Sequence, residues 1–183
     1  ALPHRYRVRT ASGVQVDGAA ANDAVLAEIA FPAAGFLQLT VPGGRIEHVT
    51  VEGQPSTSPS STSTIRLAVR SDGDPETALT SWYEVSLGGA DVEEVPGEGP
   101  TFRVAPHEGA ALRIEVGASF ISQAQAGYAK GAVEGIPLDE VARTAERAWN
   151  SVLAVVEAPE ASADDARAVA SDLYRLFCYP TFH

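Results

Sequence analysis

Between Leu112 and Ala126 the stretch LRIEVGASFISQAQA loses one periodicity and begins another. Leu112, Ile114 and Val116 alternate with Arg113 and Glu115, the rhythm of a half-buried strand, and the alternation then dissolves into Ser, Gln and Ala. Before this point apolar residues recur every second position; after it they fall three or four apart. A chain that makes this switch once and late folds as strands first and helices last, which argues against alternating βαβ units and a parallel sheet.

Up to about residue 120 turn residues punctuate the chain. RYRVR sets Tyr6 and Val8 opposite Arg5, Arg7 and Arg9, and AVLAEIAF puts Val25, Ala27, Ile29 and Phe31 on one face. FLQLTV follows the break from Pro32 to Gly35, and RIEHVTVEG follows Pro42-Gly43-Gly44. TIRLAVR, SWYEVSL, TFRVA and ALRIEVGASF come later. These make roughly eight or nine short strands, the number and spacing of an antiparallel β-sandwich. The polar, uncharged run GQPSTSPSSTST, Gly53 to Thr64, reads as a flexible hairpin loop in preference to a glycosylated or ligand-binding segment.

Beyond residue 120 two helices are expected. In PLDEVARTAERAWNSVLAVV, an apolar stripe of Leu138, Val141, Ala142, Ala145, Trp149, Val152, Leu153 and Val156 runs along a helix of about five turns. Pro137 suits a first turn, and Asp139 and Glu140 lie at the positive end of the helix dipole. After EAPEA, Ser162 and Asp165 have the spacing of a capping box that opens a second helix, with Ala166, Val169, Ala170, Leu173, Leu176 and Phe177 as its stripe. Pro180 ends it, and the apolar tail LYRLFCYPTF needs something to pack against. The expected architecture is therefore mainly β, an antiparallel β-sandwich over 1–120 followed by a helical tail over 121–183.

Charge and composition exclude several roles. A formal charge of -11 argues against nucleic acid, whose binders need a basic surface to release counterions, and against an anionic membrane. No apolar run approaches the roughly 18 residues of a membrane span, and no charged-then-apolar leader opens the sequence. A single cysteine, Cys178, permits no intrachain disulfide and leaves the redox compartment open. Ala1 as first residue and the lack of methionine suggest a processed or truncated product. One lysine, Lys130, stands among thirteen cations, a skew ascribed to base composition.

Residues capable of chemistry are few. His4, His48, His107 and His183 have no spacing that joins two on one element, so no metal site is expected. Cys178, within an apolar helical run, reads as a buried structural thiol. Asp72, Asp74 and Glu76 in SDGDPE faintly resemble a calcium loop but lack its longer ligand series and terminal glutamate; an acidic turn is the better reading. Glu93, Glu94 and Glu98 in DVEEVPGEG supply the carboxylates that glycoside hydrolysis would need, yet beside Pro-Gly they read as solvated turn residues. Trp82 with Tyr83 could make a sugar-stacking platform, against which a core role is favoured, and Trp149 is packing. No catalytic residue is assigned, and no glycine-rich phosphate loop, G-x-S-x-G or H-E-x-x-H occurs.

The order VGASFISQAQA, AERAWNSVL, ARAVASDLYRLFCYP resembles the junction region of glycoside hydrolase family 92, the exo-acting α-mannosidases. The residues that carry it are Gly117, Ser119, Phe120, Ile121, Ser122, Gln123, Ala124, Ala148, Trp149, Asn150, Leu173, Tyr174, Arg175 and Pro180. It is best over Leu112 to Pro180. Upstream, YRVRTASGVQVDGAAANDAVLAEIAF is similar to the family's strand pair. The resemblance implies a two-domain enzyme in which an N-terminal sandwich is joined by helices to an (α/α) barrel. That barrel supplies the general acid, the general base and a calcium ion for an inverting reaction.

On that resemblance the sandwich over 1–120 is super-sandwich-like and incomplete, 121–183 is a helical linker leading into the barrel, and the chain is a non-catalytic fragment of a secreted or periplasmic sugar hydrolase, inactive alone. No cofactor belongs to it, and calcium belongs to the parent enzyme. Its expected partners are the catalytic barrel of the same polypeptide and, in the full-length protein, a carbohydrate substrate. Homo-oligomers through exposed strand edges or the helical tail are also expected. A carbohydrate-binding module built on Trp82 and Tyr83 and a structural interaction domain docking through Leu173 to Phe182 are the alternatives.

Overall fold

The computed structural model describes residues 3–33, 37–39, 44–53, 62–72, 76, 78–95, 101–107, 111–156 and 160–177. In chain order its strands are β1 (Tyr6–Arg9), β2 (Gln15–Ala21), β3 (Ala24–Ala30), β4 (Leu37–Leu39), β5 (Gly44–Glu52), β6 (Thr62–Ser71), β7 (Thr80–Gly88), β8 (Ala90–Val95), β9 (Thr101–Pro106) and β10 (Leu112–Ser119). Three helices follow: α1 (Gln123–Lys130), α2 (Leu138–Leu153) and α3 (Ala163–Phe177). The strands pair antiparallel in a seven-stranded sheet of order β1-β2-β3-β10-β7-β6-β5 and a three-stranded sheet of order β4-β9-β8.

Alternation within the strands builds the core between these sheets. Ile65, Leu67 and Val69 of β6, Val85 and Leu87 of β7 and Leu112 and Ile114 of β10 meet Ala90 of β8 and Phe102 and Val104 of β9 in one buried cluster. Ala27, Ile29 and Phe31 join it as the sequence pattern requires, whereas Val25 stays 44% exposed. The opposite face of the large sheet is covered as well. Ala19, Ala24 and Leu26 pack with Val133, Leu138, Val141 and Ala142 in a second cluster, so α2 lies on β2 and β3 while α1 lies on β10 and β7.

Two strands and one helix lie outside the pattern-based expectation. β2, QVDGAAA, carries little β-branched or aromatic content; it is held through the hairpin to β3, whose turn places Asn22 at φ 50°. β8 contains the acidic run read as a turn, and Glu93 and Glu94 stand exposed on it opposite Arg103 and Phe102. α1 occupies the stretch where the alternation dissolves, so three helices follow the sandwich and the two read from periodicity are the last of them.

Candidate functional site

The strand-to-helix junction is where the sequence changes period, and it is built residue by residue. Gly117 on β10 is present because α1 crosses there: a Cβ at this position would stand 2.1 Å from the Ala126 carbonyl oxygen and 2.4 Å from the Lys130 nitrogen. Two residues on, the Ser119 Oγ accepts from the Ile121 N–H at 3.0 Å and closes a turn. Ser122 caps α1, its Oγ accepting from the Gln125 N–H at 3.2 Å. Gln123 Nε2 donates to the Tyr83 carbonyl at 3.1 Å, tying the new helix to β7.

Polar residues on the helix-facing side of the sheet form a second set of ties. Arg113 donates to the carbonyls of Val133 and Ile136 at 3.2 and 2.7 Å and pairs with Glu115 at 2.8 Å. Glu115, 8% exposed, accepts from the Gly135 N–H, so the loop between α1 and α2 has its backbone groups satisfied by one strand. The single lysine, Lys130, is buried with its Nζ near Ser86 (3.1 Å), Glu134 (3.2 Å) and Glu84 (3.6 Å). Arg66 bridges Glu84 and Glu52, and those two carboxylates hold the guanidinium above its ordinary range while Arg66 lowers the Glu52 carboxyl.

At the far side, Arg5 donates to both Asp17 oxygens at 2.7 and 2.6 Å and to Asp139 of α2 at 2.6 Å. This bidentate pair, helped by Arg7, holds the Asp17 carboxyl below its ordinary range despite the opposing effect of burial, and it raises Arg5.

Beside the junction lies a cleft of about 290 Å³ whose lining includes Asp23, Ser81, Tyr83, Phe120, Ile121 and Gln125. Phe120 and Ile121 are 74% and 77% exposed on it. Asp23 is the one carboxylate among the described lining residues, whereas two-carboxylate glycoside hydrolysis requires a pair. The cleft offers an apolar rim and hydrogen-bonding groups, the equipment of a contact surface.

The sequence candidates are dispersed. Trp82 and Tyr83 point to opposite faces of β7, Tyr83 against the sandwich core, and form no common platform. His4 lies before β1, His48 is exposed on β5, and His107 stands at the end of β9 with Nε2 3.4 Å from Asp91. Asp72 and Glu76 are exposed; Asp74, Glu98, Cys178 and His183 lie outside the described residues, as does 54–61 of the Ser/Thr-rich run. Among the described residues no three His, Cys, Asp or Glu side chains converge as metal ligands. None of their helices is long and apolar enough to cross a membrane. Sequence reasoning missed the outward-facing Phe120 and Ile121. Their signal was two large apolar residues held between two turn-forming serines.

Past the middle of α2 the helices lose their support. α3 has no buried residue; Val169, Tyr174, Leu176 and Phe177 are exposed, as are Val152, Val155 and Val156. Trp149 and Tyr174, whose ring centroids are 4.9 Å apart at 55°, link α2 and α3.

With this geometry in view, the fold has clear counterparts. An inverting mannosidase of glycoside hydrolase family 92 from Bacteroides thetaiotaomicron matches 96% of this chain at TM-score 0.76 and 20% identity. A second family 92 glycosyl hydrolase matches 92% at TM-score 0.71 and 18% identity. A family 92 α-mannosidase, also from B. thetaiotaomicron, matches 96% at TM-score 0.68 and 14% identity. The chain spans about a quarter of the length of each: 25%, 25% and 26%. At these identities the likeness is one of fold. No protein-family model matches the sequence, and no curated protein matches it.

Proposed function

We propose that this chain is the non-catalytic sandwich and linker of a sugar hydrolase resembling the α-mannosidases, and that it buttresses a catalytic (α/α) barrel of the same polypeptide. The observation that carries the reading is the fold match across 96% of the chain to a family 92 mannosidase four times as long. The uncovered apolar faces of distal α2 and α3 support it, because an apolar helix face left open in its own domain is a surface suited to a neighbour. In this reading the acid, the base and calcium belong to the barrel, the substrate is an α-mannoside, and the protein works outside the cytoplasm, secreted or periplasmic.

The test is a paired assay. The 183-residue chain is expected to show no turnover of an aryl α-mannoside with calcium or with chelator, and the full-length gene product to show turnover that chelation abolishes. Hydrolysis by the chain alone, or an inactive full-length protein, would overturn the reading. Binding of α-mannose by the isolated chain would favour a carbohydrate-binding module instead.

A further inference from the structure

We propose that Phe120 and Ile121 are the anchor that fastens the sandwich to the catalytic body of the same polypeptide; this rests on the reading just given and names the contact through which it works. The backbone on both sides of the pair is spoken for. Gly117 lies against the backbone of α1, Ser119 closes the turn onto the Ile121 N–H, Ser122 caps the helix and Gln123 is bonded to Tyr83. Every one of these bonds is internal, and their joint effect is to hold two consecutive large apolar side chains outward, 74% and 77% exposed.

These bonds order the pair, and the two side chains stand together on one cleft. An anchor that is already ordered loses little freedom when it docks, and binding energy concentrates in such residues when they fill a pocket and water is excluded. The pair stands on a cleft with Asp23, Ser81 and Gln125, so large apolar side chains and hydrogen-bonding groups lie side by side as they do at a protein interface. Its occupant is the rest of the polypeptide. In the matched family 92 structure about three quarters of the chain lies outside the part that matches, a body large enough to cover this end of the sheet. The partner surface should offer an apolar socket for two side chains and a hydrogen-bond donor facing Asp23.

Scanning calorimetry of the full-length protein and of the 183-residue chain tests this, with the double substitution Phe120→Asp, Ile121→Ser and the conservative Phe120→Leu. In the isolated chain the double substitution should leave the transition midpoint unchanged, because neither side chain is buried there. In the full-length protein it should split one coupled transition into two, one of them at the isolated chain's midpoint, while Phe120→Leu keeps the coupling.

A full-length double variant that still melts in one unshifted transition would overturn the anchor. So would two independent transitions in the unsubstituted protein, or an isolated chain that the double substitution unfolds. Loss of α-mannose binding by the isolated chain on Phe120→Ala would also overturn it, by giving the pair to a sugar site. Mannosidase activity of the unsubstituted protein is read separately: its absence alongside the split would sink the functional reading and leave the anchor standing.

Discussion

Helix α2 carries one apolar stripe and meets two fates. Over its first half Leu138, Val141, Ala142 and Ala145 are buried against β2 and β3; in the continuation Val152 is exposed, as are Val155 and Val156 just beyond the helix. α3 repeats the second fate, with no residue fully buried and Ala170 and Leu173 half-buried. The difference is what lies beneath. Proximally the sheet offers Ala19, Ala24 and Leu26, small enough for close approach and apolar enough to stabilise it. Distally the two helices meet in a tilted Trp149–Tyr174 contact. An amphipathic stripe therefore states that a face will be covered, and the surrounding structure decides by what.

The sharpest way to break this contrast is at Gly117. Gly117→Ala should cost about 4 kcal/mol, above the usual range for overpacking, because the new methyl meets the backbone of α1, which cannot rotate away as a side chain could. Urea unfolding would measure it, and a loss under about 1 kcal/mol would mean that α1 is not pressed onto β10. Next comes Leu26→Ala, expected to cost about 2–3 kcal/mol by opening a cavity under α2.

Electrostatic clamping of the proximal half predicts a pH dependence. The folded Asp17 carboxyl lies below its ordinary value, so its contribution is present above about pH 4 and fades as the pH falls through the lowered folded value. Asp17→Asn should cost about 1–2 kcal/mol at neutral pH and flatten the acid limb of the stability profile; a limb unchanged by the substitution would dismiss the clamp. The smallest effect belongs to the distal half. Leu176→Ala in the 183-residue chain should change stability by less than about 0.5 kcal/mol, and a larger loss would show that α3 packs on the body after all.

Much of this fold is legible in the residues themselves. The switch from period two to 3.6, the alternation of β3, β6, β7 and β10 and the Ser162–Asp165 cap are local facts, and the cap forms with Ser162 Oγ 3.2 Å from the Asp165 nitrogen. β2 was not legible, because three alanines and a glycine carry almost no strand preference and the strand is held by its neighbours. Nor was β8, where exposed glutamates imitate a turn. Alternation at Arg113 and Glu115 says that they face away from the sandwich core, and it is silent on whether water or a helix waits there.

The sequence by itself determined the order of elements and the mainly β character with its helical tail, since these follow from spacing and residue type along the chain. Only the tertiary structure decided that Lys130 would be buried among carboxylates, that Trp82 and Tyr83 would part to opposite faces, and that Gly117 would take a helix backbone against it. It also decided that Phe120 and Ile121 would be held in the open. The reason is physical: periodicity is set between neighbours a few residues apart, whereas burial and exposure depend on segments that meet across long stretches of chain.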